Sequence, residues 1–224
     1  MNPKQLAGEK AAEYIENGMT VGLGTGSTAY WAIQKIGSMV KQGLQIKAVA
    51  TSRQSESLAR ELEIPIVAFA DIDHIDIDID GADEVDPQLN LIKGGGGALL
   101  REKIIASNSR RFIVVADESK FVTVLGKFPL PVEVIPFAWE LSFRQLQRLG
   151  VNPVRRKING EIFITDNGNY IADLAIGSIP DPRELQQRIG LIPGVAENGL
   201  FLRMADTAVI GQANGSVKIL SATK

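Results

Sequence analysis

The sequence predicts an α/β protein: a parallel sheet flanked by helices, with a smaller α+β unit after it. Two observations carry this expectation. Up to about Lys120, short apolar strands alternate with helices, which is the pattern of a parallel sheet with crossover helices. After Phe121 the texture changes. Pro129, Pro131 and Pro136 mark a boundary, and beyond it the elements come in the order β-α-β-β-(β)-α-β, which approximates a ferredoxin-like unit.

The first helix starts at Asn2 as N-cap, with Pro3 at the first helical position and Gln5 placed for a capping box. Leu6, Ala7, Ala11 and Ile15 give it one apolar face, and Gly18 is expected to end it. A strand at 20–23 leads into Gly24-Thr25-Gly26-Ser27-Thr28 and then a helix over 29–40. A strand at 46–51, a helix at 53–63 capped by Ser52, and an apolar run at 64–69 follow. Ile75, Ile77 and Ile79 alternate with Asp76, Asp78 and Asp80, the period of a half-buried strand with Asp76 and Asp78 on its polar face. Gly81 breaks that pattern, and Asp83, Glu84 and Asp86 crowd the turn after it. Four glycines, 94–97, are too costly in backbone entropy for a helix or strand interior, so they form a loop. A helix over 98–107 and a strand over 112–116 complete this part.

Beyond the proline boundary, a strand near 132–135 precedes a helix over 139–149. Strands at 153–158, 161–165 and 170–174 come next, with Asp166-Asn167-Gly168-Asn169 as a hairpin turn. Asp181-Pro182-Arg183-Glu184 opens another helix, and a short strand lies near Val195. A terminal hairpin pairs 207–210 with 217–220 around Asn214-Gly215. No catalytic cluster appears in the smaller unit, which reads as a lid or dimerisation domain.

Ligands of parallel α/β sheets bind beyond the carboxyl ends of the strands. Residues 24–28, 80–83 and 117–120 all fall just past such ends and can meet at one edge. Lys93 cannot be placed this way, because 80–89 is too short for a parallel crossover. The four glycines precede a helix, leave N–H groups bare and let a ligand approach closely, and Lys93 adds positive charge, which together suit a polyanionic small molecule. Residues 24–28 are a second such loop. They match neither the dinucleotide fingerprint, since Ser27 replaces its third glycine, nor a P-loop. A tight turn with N-caps is the alternative, and the hydroxyls of Thr25, Ser27 and Thr28 favour a phosphate cradle. Glu102, one turn into the helix, is unfavourable beside a phosphate and should therefore have a chemical use.

Other signals are excluded. His74, the single histidine, precedes its strand and falls on the wrong edge of the sheet. The Asp76-Asp78-Asp80-Gly81 ladder starts like a calcium loop but has Pro87 where a bidentate Glu is required, and a strand where a helix should precede it. The 224 residues hold no cysteine, so disulfides and thiol chemistry are absent. A net charge of −2 without a basic stripe argues against nucleic acid. No apolar run reaches the length of a membrane span, and the N-terminus does not read as a signal peptide, so a soluble cytoplasmic protein is expected.

Taken together, GLGTGSTA (22–29), DGADEVD (80–86), LIKGGGGALLREKIIA (91–106) and VVADESK (114–120) resemble the A-type ribose-5-phosphate isomerases. The resemblance implies interconversion of D-ribose 5-phosphate and D-ribulose 5-phosphate, in the non-oxidative pentose phosphate branch, without metal or organic cofactor. It implies a Rossmann-like catalytic domain, 1–127 plus 200–224, with an inserted ferredoxin-like domain, 128–199, and a homodimer or homotetramer. Glu102 matches the family's proton acceptor, and Asp80, Asp83 and Lys93 complete the catalytic set. Thr25, Gly26, Ser27 and Thr28, then Asp80, Gly81, Ala82 and Asp83, then Lys93, Gly94, Gly95 and Gly96 match substrate-binding segments. Lys120 matches a substrate-contacting lysine, and Lys4 another on the phosphate side. Two other classes fit a carboxylate beside a glycine loop: a coenzyme A transferase with glutamate as nucleophile, and a sugar-phosphate sensor without turnover.

Overall fold

The computed structural model describes residues 2–222. In chain order the elements are α1 (Pro3–Ala12), β1 (Thr20–Leu23), α2 (Ala29–Lys41), β2 (Lys47–Ala50), α3 (Arg53–Glu61), β3 (Ile77–Gly81), β4 (Glu84–Val85), β5 (Leu91–Ile92), α4 (Leu99–Ser107) and β6 (Phe112–Asp117). They continue with β7 (Leu130–Val134), α5 (Trp139–Gln147), β8 (Pro153–Arg155), β9 (Lys157–Ile158), β10 (Glu161–Ile162), β11 (Tyr170–Leu174), α6 (Pro182–Gly190), β12 (Val195–Asn198), β13 (Leu200–Phe201), β14 (Thr207–Gly211) and β15 (Val217–Ser221). Among the described residues no helix is long and apolar enough to cross a membrane.

The main sheet runs β15-β14-β6-β3-β1-β2. Its pairings are parallel except that of β14 with β15. One face packs Val21, Leu23, Ile77 and Ile79 against Ala7, Ala11, Ile33 and Ile36 of α1 and α2. A second sheet, β12-β7-β11-β8, is antiparallel throughout. With α5 and α6 it encloses its own core around Leu130, Val132, Leu146, Ala172, Leu174 and Ile189. Its strands follow the 4-1-3-2 order that a β-α-β-β-α-β unit adopts when each helix packs back on the sheet.

Several expectations are corrected. Asn2 caps α1 as expected, its side chain accepting from Lys4 N. But the Gln5 side chain donates to Glu9 and forms no capping box. α1 stops at Ala12, well before Gly18, because tighter bonds from Tyr14 N to Ala11 O and Ile15 N to Ala12 O unwind its end. β3 is not a half-buried strand. It lies between β1 and β6 in the middle of the sheet, where both faces are covered, so Asp78 and Asp80 are both 0% exposed. The strand expected at 161–165 is shorter and pairs elsewhere. β10 pairs with β9 around Asn159-Gly160, both at positive φ, and Asn-Gly is the strongest short hairpin signal. The turn at 166–169 does close, with Thr165 N donating to Asn169 O, but β11 pairs in its sheet with β7 and β8.

Candidate active site

One cavity lies at the carboxyl ends of β1, β3 and β6. It is lined by Lys4, Thr25, Gly26, Ser27, Thr28, Gly81, Ala82, Asp83, Lys93, Gly94, Gly95, Gly96, Glu102 and Lys120. Every residue singled out from the sequence lines it except Asp80, which lies fully buried beneath. His74 is elsewhere, at the start of β3, with Nε2 2.9 Å from Asp76 Oδ1.

The path of Lys93 to the cavity is what sequence spacing did not supply. The segment after β3 does not cross over. It doubles back as an antiparallel hairpin of β4 and β5, which β13 extends. Lys93 follows β5 directly, and its N–H donates to Gly199 O at 2.9 Å. The chain thus returns to the end of β3, and Lys93 Nζ comes 3.0 Å from Asp80 Oδ2 and 3.5 Å from Glu102 Oε1. Nζ also donates to Gly81 O.

Asp80 is fixed from the other side. Its Oδ1 accepts from Thr25 N at 2.8 Å and from Gly81 N at 2.7 Å. Gly24 makes this approach possible, since a Cβ there would collide with the Asp80 carboxyl and Cα. Asp83 Oδ2 accepts from Gly95 N at 2.7 Å. Glu102, in the first turn of α4, is 4% exposed, and its Oε2 has no hydrogen-bond partner among the described residues.

Three buried carboxyls thus share one buried ammonium. Burial pushes Glu102 well above the ordinary glutamate range; Lys93 pulls it down, and Asp80 and Asp83 push it further up. Burial also raises Asp80, against the opposing pull of Lys93 and the N–H groups of Thr25 and Gly81. Asp78 rises well above its usual range through burial and then through Asp80. Lys93 would be lowered by burial alone, but Asp80 and Glu102 outweigh this and hold it above the ordinary amine range. Lys93 therefore stays charged, and Glu102 holds a proton more readily than an ordinary glutamate.

Other residues of the cavity lining have the chemistry that suits an anion. Lys4 Nζ donates to Ser27 Oγ at 2.9 Å, and Lys120 lies in the turn after β6. Gly26, Ser27 and Thr28 precede α2, whose first intrahelical donor is Tyr30 N to Gly26 O, so the amides before it are those a bound anion meets at a helix N-terminus. Thr25, which lines the cavity, also joins a network of hydroxyls. Its hydroxyl is 2.7 Å from Thr51 Oγ1 and donates to Ser52 Oγ at 2.8 Å, with Ser55 closing the network onto Gly24 O. Thr51 and Ser55 were not singled out from the sequence; with Ser52, read there only as a cap, they form a cluster of hydroxyls (51, 52, 55) after the second strand, which was the available signal.

The family model described as ribose 5-phosphate isomerase A (phosphoriboisomerase A) matches residues 47–215. A curated relative from Bacillus mycoides (strain KBAB4), named ribose-5-phosphate isomerase A, is 51% identical over 216 residues, covering 96% of this chain and 98% of its own. Among solved structures, ribose 5-phosphate isomerase from Plasmodium falciparum superposes with a TM-score of 0.95 at 40% identity, covering 99% of both chains. A D-ribose-5-phosphate isomerase solved in complex with phospho-erythronic acid gives 0.94 at 44% identity, covering 99% of this chain and 100% of its own.

Proposed function

The chain belongs to the ribose 5-phosphate isomerase A family, and we propose that Glu102 is the group that moves the proton in its reaction. That reaction is the aldose–ketose isomerisation of ribose 5-phosphate to ribulose 5-phosphate. One observation carries the assignment. A buried carboxyl with a free oxygen faces the same cavity as a fixed ammonium 3.5 Å away and a cationic, hydroxyl-rich end.

The chemistry follows from that layout. With the phosphate at Lys4, Ser27, Thr28 and Lys120, its remote binding energy positions C1 and C2 at Glu102. Glu102 takes the proton from C2, and the electron pair becomes an enediolate across C1 and C2. Lys93 stabilises the developing oxyanion without reorganising, because Asp80 already holds it. Glu102 then returns the proton to C1. Asp83, which lines the cavity, opens the furanose ring and moves the proton between O1 and O2. Asp80, buried below, orients Lys93. Phospho-erythronic acid, bound by the relative 44% identical to this chain, is a phosphorylated sugar acid, a ligand of the same anionic class.

The coenzyme A transferase and sensor alternatives are set aside, because relatives matching nearly the whole chain at about half identity are named isomerases. The division into 1–127 plus 200–224 and 128–199 remains our proposal for the domains; Met1, Thr223 and Lys224 lie outside the described residues. A homodimer or homotetramer is likewise our proposal, supported by exposed Phe137, Leu141 and Leu191 on the smaller unit. A cytoplasmic location is supported by the sugar-phosphate substrate.

The test is turnover of ribose 5-phosphate in D₂O by wild type and Glu102→Gln side by side. Ketose formation and deuterium incorporation should both fall by roughly 10²–10⁴-fold or more in the variant. A variant that keeps both rates would rule out Glu102 as the base.

A further inference from the structure

The smaller antiparallel sheet touches the glycine loop of the site through an arginine. Arg156 follows β8, and Asp173 of β11 grips its guanidinium with two bonds, Nε to Oδ2 at 2.9 Å and Nη2 to Oδ1 at 2.5 Å. The remaining nitrogen, Nη1, donates to Gly94 O at 2.7 Å and Gly95 O at 3.0 Å. Gly94 C=O and Gly95 N–H belong to a single peptide group, and that N–H donates to Asp83 Oδ2 at 2.7 Å. One rigid amide is thus held between a guanidinium on its oxygen and a carboxylate on its hydrogen. A cation on the carbonyl polarises the peptide and strengthens its N–H as a donor. Phe163, after β10, occupies the space where a side chain at Gly97 would stand, so the loop is braced at its far end as well. Gly94 and Gly97 both have positive φ, +102° and +77°, so the loop does not hold this shape from ordinary backbone preference.

We propose that Arg156 is a positioning residue for the isomerisation: anchored by Asp173, it sets the Gly94–Gly95 peptide and through it the Asp83 carboxylate at the reacting end of the cavity. This rests on the reading of Asp83 as a catalytic residue. It also gives the smaller unit a part in the chemistry that its lack of a catalytic cluster did not suggest.

The experiment is a double-mutant cycle of Arg156→Met and Asp83→Asn, with kcat and KM for ribose 5-phosphate and the melting temperature of each variant. Arg156→Met should lower kcat roughly 10- to 100-fold, more than it raises KM. In the Asp83→Asn background the same substitution should change kcat by no more than about 2-fold, because the group it acts through is gone. Arg156→Lys should recover part of kcat, since an ammonium can still reach the Gly94 carbonyl but cannot hold Asp173 in two places. Asp173→Asn should reproduce the defect in weaker form while leaving the arginine in place, which covers the case of Arg156→Met failing to fold. Multiplicative losses in the double variant would overturn the relay and leave the role of Asp83 intact. An Asp83→Asn enzyme with normal kcat would instead overturn the catalytic reading of Asp83, and the relay with it.

Discussion

Replacing Lys93 with methionine removes the one cation buried among three carboxyls and nearly preserves its shape. Nζ lies 3.0 Å from Asp80 and 3.5 Å from Glu102, and at an effective dielectric near 20 each attraction is about 5 kcal/mol. The net loss is smaller, because the variant no longer buries an ammonium. Breaking a buried pair from one side typically costs 3–5 kcal/mol. At roughly 2–4 °C per kcal/mol for a chain of this size, the melting temperature should fall by roughly 6–20 °C at neutral pH. The loss should depend on pH with a definite sign. Asp78, Asp80 and Glu102 are all raised in the folded state, so their stabilising contribution is present below the unfolded carboxylate range and is lost as pH rises through the folded values. Lys93 restrains that loss, and its own contribution is fully present below the ordinary lysine value of 10.5. Lys93→Met should therefore melt much closer to wild type in acid and diverge from it as pH rises. Activity should fall by roughly 10²–10³-fold, the loss expected when a fixed group no longer meets a developing oxyanion. Thermal melts from acid to alkaline pH, with isomerase rates on the same samples, test both parts. A variant melting within about 2 °C of wild type at every pH would refute the claim that Lys93 neutralises this cluster.

The Asp78 carboxyl makes no hydrogen bond among the described residues and takes no part in the proposed chemistry. Asp78→Asn removes its ionisation, so the melting temperature should be little changed in acid and higher by several degrees at alkaline pH, where the buried aspartate would otherwise have to ionise; a melt lowered most at high pH would contradict this. Lys4→Met and Lys120→Met remove phosphate-end cations and should each raise KM about 10-fold, the worth of one charged hydrogen bond, with kcat changed less. Normal KM in both would move the phosphate elsewhere. The acid limb of kcat/KM should have its midpoint above the ordinary glutamate value of 4.5, because Glu102 must be ionised to act as base and burial raises it; a limb at or below that value would contradict the burial argument.

The local elements of this protein are legible in its sequence because their causes are local. Asn2, Ser52 and Asp181 each cap the helix that follows them with their own side chains. The strand–helix alternation gives the parallel sheet, and that topology alone brings 24–28, 80–83 and 117–120 to one edge. Tertiary structure decided what depends on residues far apart in sequence. Whether Asp78 faces water or the interior depends on which strands flank β3, and its alternation with isoleucine is the same in either case. Lys93 reaches Asp80 only because β4, β5 and β13 form a small antiparallel sheet, and β13 is over a hundred residues away. The Arg156 clamp likewise joins two independently packed sheets through a glycine loop that has no side chains of its own to record the contact. Periodicity and capping report what a residue asks of its neighbours in the chain. Burial and charge pairing are set by neighbours in space, which only the assembled sheets supply.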